Sequence, residues 1–138
     1  MLALMLAAGA AEAQVVRAPD EIHACLCKEQ SVASLNQEVQ TQSRAYESQR
    51  QSFEALDKAV QSGRPQDNVN NPADVDAFKR LLERRDAAAD VLAGTATKSY
   101  ADAVQRYNRA VADYNGSCAG KAFDPDTLAA VKKTLSCP

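Results

Sequence analysis

The segment on which the fold prediction depends is residues 32–60, VASLNQEVQTQSRAYESQRQSFEALDKAV. One stripe recurs along it at intervals that alternate between three and four residues, and two glutamines are its polar members. Its positions are Val32, Leu35, Val39, Gln42, Tyr46, Gln49, Phe53, Leu56 and Val60. This spacing is typical of a coiled-coil seam, because it keeps one face of the helix against a partner helix. The stretch therefore predicts a long helix that packs lengthwise on another.

A polar turn follows this helix. Gly63 suits the left-handed backbone that ends helices and Pro65 cannot continue one, so we expect the helix to stop at Ser62. Residues 63–71 are rich in Gly, Pro, Asn and Asp, which favours a turn. A short turn predicts that the next helix packs antiparallel to the first, as a two-helix hairpin.

The second helix is expected to be long. Asn71 and Pro72 suit its first turn, and Gly116 is expected to end it after Asn115. Its stripe stays in phase only if the spacing runs 92, 96, 100, 104, a departure from the heptad that coincides with Gly94. We expect a local straightening or bend there.

The seam of this hairpin has an expected register and core. Folding about the turn places Phe53 near Arg85, Tyr46 near Leu92 and Val32 near Arg106. The residues expected to be buried between the helices are Val39, Phe53, Leu56, Phe78, Leu82 and Leu92.

A short third helix is predicted near the C-terminus. Asp124 and Pro125 open it, and Leu128, Val131 and Leu135 make one narrow apolar stripe that should fold over the open end of the hairpin. The three helices are expected at about Pro19 or Lys28 to Ser62, Pro72 to Asn115, and Pro125 to Leu135. The fold class is therefore all-α, an antiparallel coiled-coil-like hairpin with a short third helix.

The first residues predict export. An uncharged apolar run precedes Ala11-Glu12-Ala13, a small-residue cleavage pattern, so residues 1–13 are interpreted as a signal peptide and 14–138 as one domain. No Lys or Arg precedes the apolar run, and the true start codon is left open. The expected location is periplasmic or secreted.

Four cysteines fit two disulfides in a small exported chain: Cys25, Cys27, Cys118 and Cys137. A Cys25–Cys27 bond would close a strained small ring. Both remaining pairings join the N-terminal segment to the C-terminal one at the open end. We slightly favour Cys25 with Cys118 and Cys27 with Cys137 over the crossed alternative.

One cluster of side chains could bind a metal or carry out redox chemistry. His23, Cys25 and Cys27 have side chains that suit Zn²⁺ or Cu⁺, or a redox centre. In an exported protein oxidised cysteines are the preferred interpretation, which makes His23, the one histidine in the chain, an ordinary polar residue. A metal- or redox-handling protein is therefore the alternative function.

The charge balance and the absence of known motifs favour a non-enzymatic protein that acts by binding other proteins. The 16 basic and 18 acidic residues nearly cancel and form no basic stripe for nucleic acid. The chain carries no recognised catalytic or cofactor motif, and no apolar run in residues 14–138 is long enough to cross a membrane. We therefore expect no cofactor and a non-enzymatic structural, adaptor or protein-interaction module. Residues beside the seam could bury against a partner or a second copy: Ala45, Ala55, Ala59, Val91 and Val104.

Overall fold

The computed structural model describes residues 15–63 and 69–138, and this part of the chain is mostly helical. Its elements are β1 (Val15–Val16), α1 (Pro19–Gly63), α2 (Pro72–Val91), a π-helix (Leu92–Ala96), α3 (Thr97–Ser117), β2 (Ala122–Phe123) and α4 (Pro125–Lys133). Because α2, the π-helix and α3 follow one another without a break, the described residues form the three predicted helical segments. The predicted signal peptide, residues 1–13, lies outside the described residues.

The caps of α2 and α4 follow the sequence. The Asn71 side chain accepts a hydrogen bond from the backbone N–H of Ala73 at 3.1 Å, and Pro72 follows it. The Asp124 side chain accepts from the backbone N–H of Thr127 at 3.1 Å. Each carboxyl or amide oxygen thereby satisfies a backbone donor that the first helical turn leaves without a partner.

The predicted end of the second helix was wrong by two residues. Helix α3 continues through Gly116 to Ser117, and the positive φ of 76° belongs to Gly120. The backbone N–H groups of Cys118 and Ala119 both bond to the carbonyl of Tyr114, at 2.8 and 3.2 Å. Gly120 supplies the left-handed residue that turns the chain toward β2, which an L-residue with a Cβ adopts less readily.

The departure from the heptad is a π-helix, at the place where the sequence predicted a local straightening or a bend. The Thr97 backbone N–H bonds to the carbonyl of Leu92, five residues earlier, and the Thr97 hydroxyl donates to the same carbonyl at 2.7 Å. A π-turn holds one more residue than an α-turn. It therefore absorbs the extra residue in the 92–96–100–104 spacing and keeps the stripe on one face.

Two short strands were not predicted. Strands β1 and β2 pair in parallel, with Val15 opposite Ala122 and Val16 opposite Phe123. The backbone N–H of Asp124 extends the pairing by bonding to the carbonyl of Val16 at 2.9 Å. Two residues are too few for an alternating pattern to be visible in a sequence.

The chain divides into two compact units. The terminal unit comprises described residues 15–31 and 111–138, and the central unit comprises 32–63 and 69–110. The terminal unit buries Ile22, Cys25, Cys118 and Val131, and the central unit buries Val60 and Ala103. The assignment of 14–138 to one domain stays a prediction.

The six stripe residues that the sequence predicted to be buried between the helices are only half-buried in the central unit, although Val60 of the same stripe is buried. The half-buried residues are Val39, Phe53, Leu56, Phe78, Leu82 and Leu92. Where one helical layer covers another, each side chain has neighbours on one side only, so its flanks stay in contact with water. The face was correctly predicted and the depth of burial was not.

Three side-chain contacts define the register in the central unit. Asp57 forms an ion pair with Arg85 at 3.6 Å, the ring of Tyr46 stacks on that of Tyr100, and Glu38 pairs with Arg106. Positions on α1 decrease as those on α2 and α3 increase, so the contacts follow the order of a helical hairpin.

The predicted register was therefore wrong by one to two helical turns. Tyr46 was expected at Leu92 and meets Tyr100. Arg85 was expected at Phe53 and pairs with Asp57. The π-helix displaces all later residues along the helix, and the heptad pattern alone permits a slide by whole turns because the stripe repeats.

Candidate functional site

The two disulfides are the centre of the terminal unit. Cys25 is bonded to Cys118 and Cys27 to Cys137, with Cα–Cα distances of 5.6 and 5.4 Å. This is the pairing that the sequence slightly favoured. The bonds join residues separated by 93 and 110 positions, so each closes a loop that contains most of the chain.

Helix α1 directs its two cysteines to different partners. Successive helical residues are rotated by about 100°, so Cys25 and Cys27 point to nearly opposite faces. Cys25 and its partner Cys118 are only 4% and 3% exposed. Cys27 and Cys137 are half-buried. One disulfide is therefore enclosed by the unit and the other is reached by solvent.

His23 contacts the more exposed disulfide. It precedes Cys27 by one helical turn, and its Nδ1 and Nε2 atoms lie 3.9 and 4.0 Å from the Cys27 Sγ. Its Nε2 is also 3.1 Å from the carbonyl oxygen of Ser136. Because a carbonyl oxygen only accepts hydrogen bonds, this contact assigns the ring hydrogen to Nε2. The sequence interpretation of His23 as an ordinary polar residue missed this contact, which the i, i+4 spacing of His23 and Cys27 could have suggested.

A lysine network lies beside the buried disulfide. The Lys28 Nζ donates to the Ser117 Oγ at 2.8 Å and to the Asp113 carboxylate at 3.1 Å. The Ser117 Oγ lies 3.5 Å from the Cys118 Sγ. These bonds tie α1 to the end of α3 around Cys118. Lys121 pairs with Glu21 in the same unit.

Asp124 holds the start of α4. Hydrogen bonds from the hydroxyl and the backbone N–H of Thr127 lower the pKa of the Asp124 carboxyl from its ordinary value of 3.8, and Arg17 at 3.8 Å adds to the effect. The charged form is therefore the form that caps the helix.

The cluster His23, Cys25 and Cys27 is not assembled as a ligand set. The sulfurs of Cys25 and Cys27 belong to different disulfides, and His23 contacts only the second. Among residues 15–63 and 69–138, no group of three or more His, Cys, Asp or Glu side chains could hold a metal ion. Thiolates are the form of cysteine that binds metals, so a site here would require both bonds to be reduced.

The central unit carries a shallow groove of 190 Å³ between α1 and the π-helix region. Its lining residues are Gln42, Ala45, Tyr46, Gln49, Val91, Thr95, Ala96 and Ser99. Two alanines lie among amides and hydroxyls, and no charged side chain lines it. Val91, at its edge, is 43% exposed. Ala45 and Val91 were both expected from the sequence to lie beside the seam.

The disulfides indicate the kind of compartment in which the protein folds. Two such bonds in a small chain are typical of an oxidising, extracellular-type environment. Within the described ranges, no helix combines the length and the apolar character needed to cross a membrane. No protein-family model, no curated protein and no solved structure matches this chain.

Proposed function

We propose that the protein is exported to the periplasm or secreted and acts without catalysis, as a protein-interaction module. In this proposal the helices of the central unit form an antiparallel coiled-coil hairpin and present one side of the seam to a partner helix. The observation that carries the proposal is the incomplete cover of the apolar stripe, because neither α2 nor the π-helix contains a buried residue.

The hairpin geometry is supported by the order of the cross-helix contacts. Ion pairs at Asp57–Arg85 and Glu38–Arg106 flank the Tyr46–Tyr100 stack. The apolar stripe of α1 has the intervals of a coiled coil, and that of α2 and α3 departs from them at the π-helix.

The groove at the π-helix is the part of this seam that suits a partner best. Ala45 and Ala96 are small enough to let another backbone approach, and the exposed Val91 offers apolar surface beside them. Gln42 and Gln49 supply amide groups that can bond to a partner's polar side chains. An uncharged groove of this kind fits an amphipathic helix, from another protein or from a second copy.

Site-specific photo-crosslinking tests the proposal. A photo-reactive residue in place of Val91 should give a crosslinked adduct in cells that export the full chain. The matched control is Val69, which is 80% exposed and lies before α2 rather than at the groove. Adducts from position 91 but not from 69 support the proposal. Equal adducts from both, or none from 91, contradict it.

The alternative is a metal- or redox-handling function at His23, Cys25 and Cys27. The contact between His23 and Cys27 is the observation in its favour. A count of free thiols under denaturing, non-reducing conditions separates the two. Zero free thiols fits the proposed module, and two or four would favour the alternative.

A further inference from the structure

The two disulfides differ in access to an attacking thiol. Exchange requires a thiolate to reach one sulfur of the bond. The Cys25–Cys118 bond is enclosed, with both residues less than 5% exposed. Cys27 and Cys137 are half-buried, and Ser136 and Pro138, on either side of Cys137, are exposed. The Cys27–Cys137 bond is therefore the more accessible of the two bonds to an incoming thiolate.

The sulfur that leaves when the bond breaks, Cys27 Sγ, lies beside the imidazole of His23. The His23 Nδ1 lies 3.9 Å from the Cys27 Sγ, and the bond from Nε2 to the Ser136 carbonyl fixes the ring. A departing thiolate is stabilised by a protonated imidazole, and a better-stabilised leaving group departs faster. The Cys118 Sγ instead contacts a neutral hydroxyl, Ser117 Oγ, at 3.5 Å.

We propose that the Cys27–Cys137 disulfide is a thiol–disulfide exchange site for a dithiol protein of the same compartment. One partner thiol attacks the Cys137 Sγ, and a mixed disulfide forms as the Cys27–Cys137 bond breaks. The proton of that thiol passes to His23 and then to the Cys27 thiolate. The partner's second thiol then attacks the partner sulfur of the mixed disulfide, which closes the partner's disulfide and releases Cys137 as a thiol. The partner loses two electrons and two protons to Cys27 and Cys137.

Exchange at this bond changes only part of the terminal unit. Cys25–Cys118 still joins α1 to the end of α3, and the β1–β2 pairing holds the chain up to Asp124. Helix α4 beyond that point loses its covalent attachment to α1. Its buried residue Val131 can then become accessible, so reduction exposes apolar surface.

The test is partial reduction of the full oxidised protein with dithiothreitol, followed by acid quench, alkylation and peptide mass spectrometry. Cys27 and Cys137 should be alkylated at least about tenfold faster than Cys25 and Cys118, because only their bond is accessible. In denaturant the two bonds should react at similar rates. Similar rates in the folded protein, or faster loss of Cys25–Cys118, overturn the proposal.

The variant His23→Gln tests the imidazole. Its amide can still donate to the Ser136 carbonyl but has no group that carries a proton to sulfur. Reduction of Cys27–Cys137 should slow by about threefold, while Cys25–Cys118 in the same molecule reacts as before. Lys28→Gln, on the same helix beside Cys118, is the matched control and should leave the Cys27–Cys137 rate unchanged. An unchanged rate in His23→Gln removes histidine from the proposal and overturns it. The outcome does not depend on the groove, so this site and the proposed interaction surface can fail separately.

Discussion

The ring of Tyr46 in α1 stacks on the ring of Tyr100 in α3, with centroids 6.0 Å apart and planes inclined by 27°. Both rings are half-buried in the central unit, and Tyr46 also lines the groove. This aromatic pair fixes the register of the two helices, because no slide by a turn would keep the rings in contact.

A double-mutant cycle on Tyr46→Ala and Tyr100→Ala should give a coupling free energy of about 1 kcal/mol, the usual value for a stacked aromatic pair. Chemical unfolding of the wild type, the single variants and the double variant measures it. The control cycle pairs Tyr46→Ala with Tyr107→Ala, a half-buried tyrosine two turns further along α3. Its coupling should fall within about 0.5 kcal/mol of zero. Equal coupling in the two cycles would show that the stack does not set the register.

Deletion of Gly94 should convert the π-helix into an ordinary α-helical turn. The residues on either side keep their faces, because the π-turn holds the one extra residue. The free energy of unfolding should therefore change by only about 1 kcal/mol or less, partly offset by the loss of a glycine from the helix.

Deletion of Ala101, an exposed residue of α3, is the matched control. It rotates every later residue by about 100°, including the fully buried Ala103, and should cost about 3 kcal/mol or more. Thermal unfolding with disulfide mapping measures both. A Gly94 deletion as costly as the Ala101 deletion would contradict the role assigned to the π-helix.

Two glycines near the end of α3 should respond in opposite directions to alanine. Gly116 lies within the helix and a Cβ there meets nothing within 4 Å, so Gly116→Ala should stabilise the protein by about 0.5–1 kcal/mol. Gly120 has φ of 76°, so Gly120→Ala should destabilise it by about 1 kcal/mol. Denaturant unfolding of both variants decides the matter, and the same sign for both would be inconsistent with the observed helix end.

Asp124 should make stability depend on acidity. Its pKa is lowered in the folded state by the Thr127 hydrogen bonds. A lowered folded-state pKa means that the stabilisation is present above the unfolded value and is lost as the pH falls through the folded one. The wild-type melting temperature should fall more steeply below about pH 4 than that of Asp124→Asn, which keeps a cap but has no charge to lose.

Thr127→Val should give an intermediate slope, because it removes the hydroxyl donor and keeps the backbone one. Melting curves recorded from neutral pH to about pH 2 make the comparison. Parallel curves for the wild type and Asp124→Asn would mean that the carboxylate contributes nothing to the pH dependence.

The sequence predicted the features that have a local pattern, namely the periodic apolar stripe and the helix caps. The stripe from Val32 to Val60, the cap at Asn71 and the cap at Asp124 each have a local pattern, and the structure contains the corresponding helices. The register between helices has no such local pattern, since the stripe is periodic, and the Tyr46–Tyr100 contact was missed for that reason.

The candidate site was predictable in composition and only partly in geometry. Four cysteines in a small chain imply two disulfides, and rotation along a helix separates Cys25 from Cys27. The contact of His23 with Cys27 and Ser136 depends on where residues 134–138 return to α1, which no local pattern specifies. The β1–β2 pairing is too short to leave a signal.

Both disulfides close the terminal unit, and the proposals for this protein depend on that pairing. The decisive measurement is peptide mapping of unreduced protein that is alkylated at once after isolation. We expect Cys25–Cys118 and Cys27–Cys137 as the linked peptides, with no alkylated cysteine in the major species. Linkage of Cys25 to Cys137, or a major species with four alkylated cysteines, would contradict it.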